Sequence, residues 1–251
     1  MSVADWGGTP MVWHDGYREF AAQLGDLYGR CQATYHAFDD LPRLVDQLRI
    51  LSVNAELASV RAGDHGRAVR VLTHFATESV TRLLGVIPEM IGLKRDTYAQ
   101  AGTILRAARD VGKIESAGNN ILASGNATAI TALTALDLAW RSRLAALGAA
   151  AAALTKAHGG LQAIIRTVRE VVLQTEMIAA NIAIEATSAG PHAADLRAIA
   201  DVMQQHTAGL RAMGDAAGRG MRDASQSNVA MAAFAALGRG GRTAYQGGGR
   251  S

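Results

Sequence analysis

The sequence predicts an all-α protein, a long antiparallel four-helix coiled-coil bundle made of two fused helical hairpins, and three observations lead there. Ala is the dominant residue, with only four Pro and 5% aromatics, a composition that favours long helices over strands. Apolar or small residues recur at alternating steps of four and three, the mark of a heptad seam. A reversal signal also occurs twice: "NAELASVRAG", residues 54–63, runs into Asp-His, and "NIAIEATSAG", residues 181–190, runs into Pro-His, 127 positions further on.

The first arm is defined by Phe20, Leu24, Leu27, Cys31, Thr34, Phe38, Leu41, Val45, Leu48, Ser52, Ala55 and Ser59. After the Gly63–Gly66 turn, a second seam is predicted through Ala68, Leu72, Phe75 and Ser79, then less regularly through Val86, Met90, Leu93, Ile104 and Val111. The third is the cleanest: Leu147, Ala151, Leu154, His158, Leu161, Ile165, Val168, Val172, Thr175, Ala179, Ile182 and Ala186, flanked by Ile164, Val171 and Ile178. Such flanking broadens the buried face. Beyond Pro191 the fourth runs through Leu196, Ile199, Met203, His206, Leu210, Met213, Ala217, Met221, Ala224 and Met231.

The two repeated signals have their midpoint beside Ser124, Gly125 and Asn126, a breaker cluster where the chain is expected to reverse again. Short reversals give an up-down-up-down bundle with both repeated turns at one end. At ~1.5 Å per residue, about 60 residues between reversals make arms approaching ~90 Å. The expected division is a flexible N-terminus over 1–15, a first hairpin over 16–125 with its tip near 62–66, a second over 126–237 with its tip near 188–192, and a flexible Gly/Arg tail over 238–251. Small seam residues near the tips, Ser52, Ala55, Ser59, Ala179 and Ala186, would let the helices approach closely there. Pro42 and Pro88 would lie at nearly the same level on neighbouring arms. Either they share a kink, or Asp39 and Asp40 cap a fresh helix starting near Leu41.

Composition also narrows function. Net charge is +3 and the sequence pI about 9.3, but basic residues alternate with acids instead of clustering, which predicts no nucleic-acid binding. Cys31 is the only cysteine, so neither an internal disulfide nor a thiolate metal cluster can form. The start "MSVADWGGTPMVW" lacks a signal-peptide pattern. Residues 116–136 are uncharged but too rich in Asn, Ser, Thr and Gly to enter a bilayer, so a cytoplasmic chain without membrane insertion is expected. Seven His residues show no His-x-x-x-His or Glu-x-x-His spacing. The glycine pairs lack the lysine and strand context of phosphate loops. No catalytic, cofactor-binding or metal site is expected. Gly159-Gly160, inside the third seam, costs about 2 kcal/mol relative to two alanines and predicts a bend or flexible section.

The two repeated stretches resemble the hairpin tip of the cytoplasmic signalling domain of methyl-accepting chemotaxis proteins, whose pattern runs Asn-Ala-Ala-Ile-Glu-Ala-Ala-Arg-Ala-Gly-Glu-x-Gly-Arg-Gly. The second copy supplies Asn181, Ala183, Ile184, Glu185, Ala186, Ala189 and Gly190. The first supplies Asn54, Ala55, Arg61, Ala62, Gly63, Asp64, Gly66 and Arg67, with Val69 and Val71 following. The likeness covers about 25 residues per copy. In that family each subunit gives one hairpin and a dimer makes the bundle, so the resemblance implies a fused pseudo-dimer. It also implies that the tips bind a chemotaxis histidine kinase and coupling protein, with other chemoreceptors as further partners. The residues carried over as the partner-binding tip are Ile50, Leu51, Val53, Asn54, Leu57, Arg61, Val71, Met177, Ile178, Asn181, Ile184 and Glu185, and as the turns Gly63, Gly66, Gly190 and Pro191.

The chain departs from the pattern where it carries charge. The family's Glu is Ala58 in the first copy and its Arg is Ser188 in the second, leaving Arg61 and Glu185 as one split pair on a composite surface. The paired Glu or Gln sites methylated in that family have no counterpart beyond Gln204-Gln205, which lies too close to the tip. The expected function is a non-enzymatic signal transducer. The alternatives are a degenerate scaffold or decoy that binds another helical partner, and an enzyme or cofactor protein on the same bundle.

Overall fold

The computed structural model describes residues 15–124 and 129–222, and within them every element is helical. In chain order these are α1 (Asp15–Ala37), α2 (Leu41–Arg61), α3 (Arg67–Ser124), α4 (Ala129–Ala186) and α5 (Ala193–Arg222). Single 3-10 turns, Gly63–Gly66 and Gly190–His192, join α2 to α3 and α4 to α5. The midpoint breaker at Gly125 and Asn126, residues 1–14, the tail over 238–251, and seam positions Ala224 and Met231 lie outside the described residues, as does the side chain of Phe20.

The chain divides into two compact units. One contains residues 30–95 and 157–222, and hence both tips. The other contains the beginning of α1, the C-terminal part of α3 and the N-terminal part of α4. In this latter unit Leu24, Leu27, Ile104, Val111, Leu147 and Leu154 are buried, and Arg143 reaches Asp110 at 3.0 Å.

The tip-bearing unit is four long helical arms packed together. The predicted seams of the first and third arms hold at every position whose burial is described, from Leu24 to Ser59 and from Leu147 to Ala186. The second holds at Ser79, Val86, Met90, Ile104 and Val111 but departs near the tip. Ala68 and Phe75 are exposed, and Val69, Thr73, Ala76, Val80 and Leu83 point inward instead. Phe75 is the bulkiest apolar side chain in this stretch and suggested the wrong phase, while small Thr73 and Ala76 are what the narrow interior accepts. On the fourth arm Leu196, Met203, Leu210, Ala217 and Met221 are buried, with Ile199, His206 and Met213 half-buried.

At Pro42 the chain restarts. α1 ends at Ala37, and α2 begins at Leu41 with Pro42 in its first turn, where a missing N–H costs nothing. Asp40 occupies the capping position but makes no side-chain cap; its carboxylate instead accepts from Arg43 at 2.9 Å. α3, in contrast, runs unbroken through Pro88. Pro88 and Leu84 are both exposed, so water can satisfy the Leu84 carbonyl that the proline ring leaves without a donor. No break is shared.

α4 is likewise continuous through Gly159-Gly160, and Gly160 has a packing role there. A Cβ on Gly160 would come within 2.7 Å of Leu93 Cδ1. The missing side chain makes a notch into which Leu93 fits. Among the described helices, none is long and apolar enough to cross a membrane.

Candidate functional site

The tips are built around two glycines. Gly63 has φ +59 and Gly190 φ +55, and no other described residue has positive φ. Each occupies the left-handed position that ends a helix and lets the next begin at once, a conformation that costs any side-chain-bearing residue. The recurrence at the 127-residue offset therefore extends from sequence into backbone geometry.

Both turns draw on one core. Leu51, Val69, Ala76, Ile178, Ile182, Ala186, Ala189, Leu196 and Met203 form a single buried cluster contributed by α2, α3, α4, the second turn and α5. Small residues line its end: Ser52, Ala55 and Ser59 on α2, and Ala179 and Ala186 on α4, are all buried. The hydroxyls are internally satisfied, Ser52 donating to the Arg49 carbonyl at 2.8 Å and Ser59 to that of Glu56 at 2.7 Å. Further along, a void of about 10 Å³ lies among Leu48, Ala76, Ser79, Val80, Leu83, Val171, Thr175 and Met203, room for at most about one water.

The two turns are not identical. In the first, α2 stays helical to Arg61, and Ala62 N–H closes a normal bond to Ala58 at 3.0 Å. In the second, α4 ends at Ala186, and Thr187, Ser188 and Ala189 make tighter three-residue bonds to Ile184, Glu185 and Ala186. The Thr187 and Ser188 hydroxyls donate back to the same Ile184 and Glu185 carbonyls, at 2.7 and 3.0 Å. Hydroxyl side chains compete with the helix for its carbonyls. Having Thr-Ser where the first copy has Val60-Arg61 thus unwinds the last turn as well as removing a charge.

Of the residues singled out in the sequence, Ile50, Val53, Leu57, Val71, Met177 and Ile184 are exposed, all between 51% and 66%. Asn54, Arg61 and Asn181 are exposed as well, and Glu185 is half-buried. Leu51 and Ile178, carried over with the tip by resemblance, are buried in the core cluster, where the flank of the third seam already placed Ile178. One residue is a 100° rotation on a helix, enough to carry each from the outer face inward. Arg61 and Glu185 form no ion pair with each other among the described residues. Gly63, Gly190 and Pro191 are exposed, whereas Gly66 is buried against the Ser59 backbone.

In the tip-bearing stretches, the sequence missed the exposed apolar residues Val60, Phe75, Leu173 and Val202. Their signal was spacing. Ile50, Val53, Leu57 and Val60 recur at three and four residues along α2, opposite its buried face, and Leu173, Met177, Ala180 and Ile184 do the same on α4. Ile50 with Met177, Leu57 with Ile184, and Phe75 with Val202 are related by the 127-residue offset. A stripe on the solvent side of a helix contributes nothing to its own core, and contiguous exposed apolar surface marks interaction sites.

Titratable groups are few in the interior. His158 is buried, with Gln162 Nε2 donating to its Nε2 at 2.9 Å; Nδ1 is buried without a hydrogen-bond partner. Burial holds its pKa below the ordinary imidazole value. His206 is also held low, by burial and by the nearby Arg43 charge. The Cys31 thiol is pushed up to about 11 by burial, the opposite of a reactive thiolate. No group of three or more His, Cys, Asp or Glu suited to a metal ion occurs among the described residues. Beside the α1–α2 break, Tyr35, Phe38, Pro42, Met90, Ile91, Asp39 and Lys94 line a groove of about 170 Å³.

Compared with protein-family models, curated proteins and solved structures, the chain finds no match.

Proposed function

We propose that this chain is a chemoreceptor-like signal transducer, both hairpins in one polypeptide, whose tips bind a chemotaxis histidine kinase and its coupling protein in the cytoplasm. The observation that carries this reading is the pair of positive-φ glycine turns, 127 residues apart and resting on one shared core, each beside an outward apolar stripe. A rigid tip of short side chains with exposed apolar residues suits docking of a folded protein better than binding of a small molecule, for which the tip core has no room. A signal would travel as a small change between two packings of the arms.

The test is a pull-down of purified kinase and coupling protein by the full chain, compared with a variant carrying alanine at Asn54, Arg61, Asn181 and Glu185. Capture by the native chain and its loss in the variant is the expected result.

A second reading, a degenerate scaffold that has lost kinase control and binds another helical partner, is favoured by the second tip. Its missing Arg and unwound final turn depart from the pattern in charge and in backbone. Under that reading the native chain captures neither protein.

A further inference from the structure

The two hairpins carry the same apolar pattern but opposite charge. Residues 49–78 hold Arg49, Arg61, Arg67 and Arg70 against Glu56, Asp64 and Glu78, net +1; the equivalent stretch, 176–205, holds Arg197 against Glu176, Glu185, Asp195 and Asp201, net −3. Internal pairing leaves this polarity in place. Arg67 is taken by Asp64 at 2.8 Å and Glu176 by Arg211. Among the described residues, Arg49, Arg61 and Arg70 stand without an ion-pair partner against Glu56 and Glu78 in the first hairpin, a balance of +1, and Glu185, Asp195 and Asp201 against Arg197 in the second, a balance of −2.

The apolar content differs in the same direction. The first hairpin exposes Ile50, Val53, Leu57 and Val60 on α2 and, at the same level beyond the turn, Val71 and Phe75 on α3. At the equivalents of Val53, Val60 and Val71 the second hairpin has Ala180, Thr187 and Ala198. Large apolar side chains beside uncompensated arginines are what binding hot spots are made of. A face rimmed with carboxylates repels the partner that an arginine rim attracts.

We infer that the first hairpin, through α2 and the first turns of α3, is the docking face, and that it takes a protein surface with an apolar groove edged by carboxylates, one partner per chain. This rests on the proposed kinase and coupling-protein role and adds which hairpin is used and what the partner surface must look like. The stripe lies on the outer side of α2, opposite the core, so it is convex and needs a concave partner.

The experiment is a calorimetric titration of purified chemotaxis coupling protein into the full chain at low and at high salt. The variants are Leu57→Asn and Arg61→Glu with Arg70→Glu in the first hairpin, and Leu173→Asn with Val202→Asn in the second. All these positions are exposed, and circular dichroism checks that helix content is kept. The expected result is one coupling protein per chain, affinity that falls with salt, a loss of about tenfold or more for each first-hairpin variant, and a change within about twofold for the second. Equal losses from both hairpins, or two partners per chain, overturn the inference while leaving the kinase and coupling-protein role standing. No binding by the native chain overturns both. Self-association of the chain alone in sedimentation, abolished by Leu57→Asn, assigns the face to a second copy and also overturns it.

Discussion

A methyl group added at Gly66 would lie 1.9 Å from the Ser59 carbonyl oxygen, a backbone atom that cannot swing aside. Gly66→Ala must therefore force α2 and α3 apart at the turn. At Gly63 and Gly190 the surroundings are open and only the positive φ resists a side chain, which costs about 1 kcal/mol in each alanine variant. Gly159 is exposed, helical and free of neighbours, so Gly159→Ala stabilises by up to about 1 kcal/mol. Urea unfolding of the four variants should rank them with Gly66→Ala least stable, Gly63→Ala and Gly190→Ala next, and Gly159→Ala above the native chain. A Gly66→Ala variant as stable as the native would mean that the close approach to Ser59 is not needed. Gly63 and Gly190 were legible in the sequence because a left-handed cap has a local signature. The reason for Gly66 was not, because Ser59, the atom donor to that clash, becomes its neighbour only once the hairpin has closed. Leu51 and Ile178 show the same limit in reverse: a resemblance assigns residues to a tip but does not say which side of the helix they take.

Among the elements, α4 offers the sharpest test, since it buries His158 without a partner for Nδ1. Its folded pKa lies below the ordinary value of 6.5, so below about that pH the unfolded chain takes up a proton that the folded chain refuses. Stability is complete above this value and falls as the solution becomes more acidic. His206 on α5 is shifted in the same direction and adds to the effect. The thermal midpoint should drop between pH 7.5 and 5.5, values spanning the imidazole range, and His158→Met should flatten that drop. An unchanged slope in the variant would place the acid sensitivity elsewhere. Helix periodicity read α1, α2 and α4 well because their buried apolar and small residues keep one heptad phase, even though α2 and α4 also carry an outward apolar stripe. On α3 it slipped by one residue near the tip, where Phe75 faces solvent and Thr73 and Ala76 face inward. Periodicity rewards bulk, and the narrow end of the bundle does not. Pro42 and Pro88 were indistinguishable in sequence; what separates them is that α2 can begin at the first while the second sits on a solvent-facing turn of a helix that continues.

Across the tip-bearing unit, the four-arm packing was readable from the paired reversal signals, and both turns rest on the same buried cluster as that pairing requires. Ile182 is fully buried in this cluster among residues from α2, α3, α4 and α5. Ile182→Ala should cost about 2–5 kcal/mol, and hydrogen exchange should quicken around both turns, Gly63 as well as Gly190. Acceleration confined to α4 and α5 would mean that the hairpins are energetically separate. The charge difference between the two tips was present in the composition of residues 49–78 and 176–205. It acquires meaning only when the structure shows which residues neutralise one another and which apolar side chains stand beside them.

That the shared cluster is assembled from one polypeptide has a thermodynamic consequence. Where two separate subunits close such an interior, diluting them withdraws the partner and lowers the melting point by mass action. Here the second hairpin is tethered to the first through the covalent chain, so its local concentration is fixed by the link and not by how much protein is dissolved. The tip interior stays assembled at copy numbers so low that a two-subunit version would come apart.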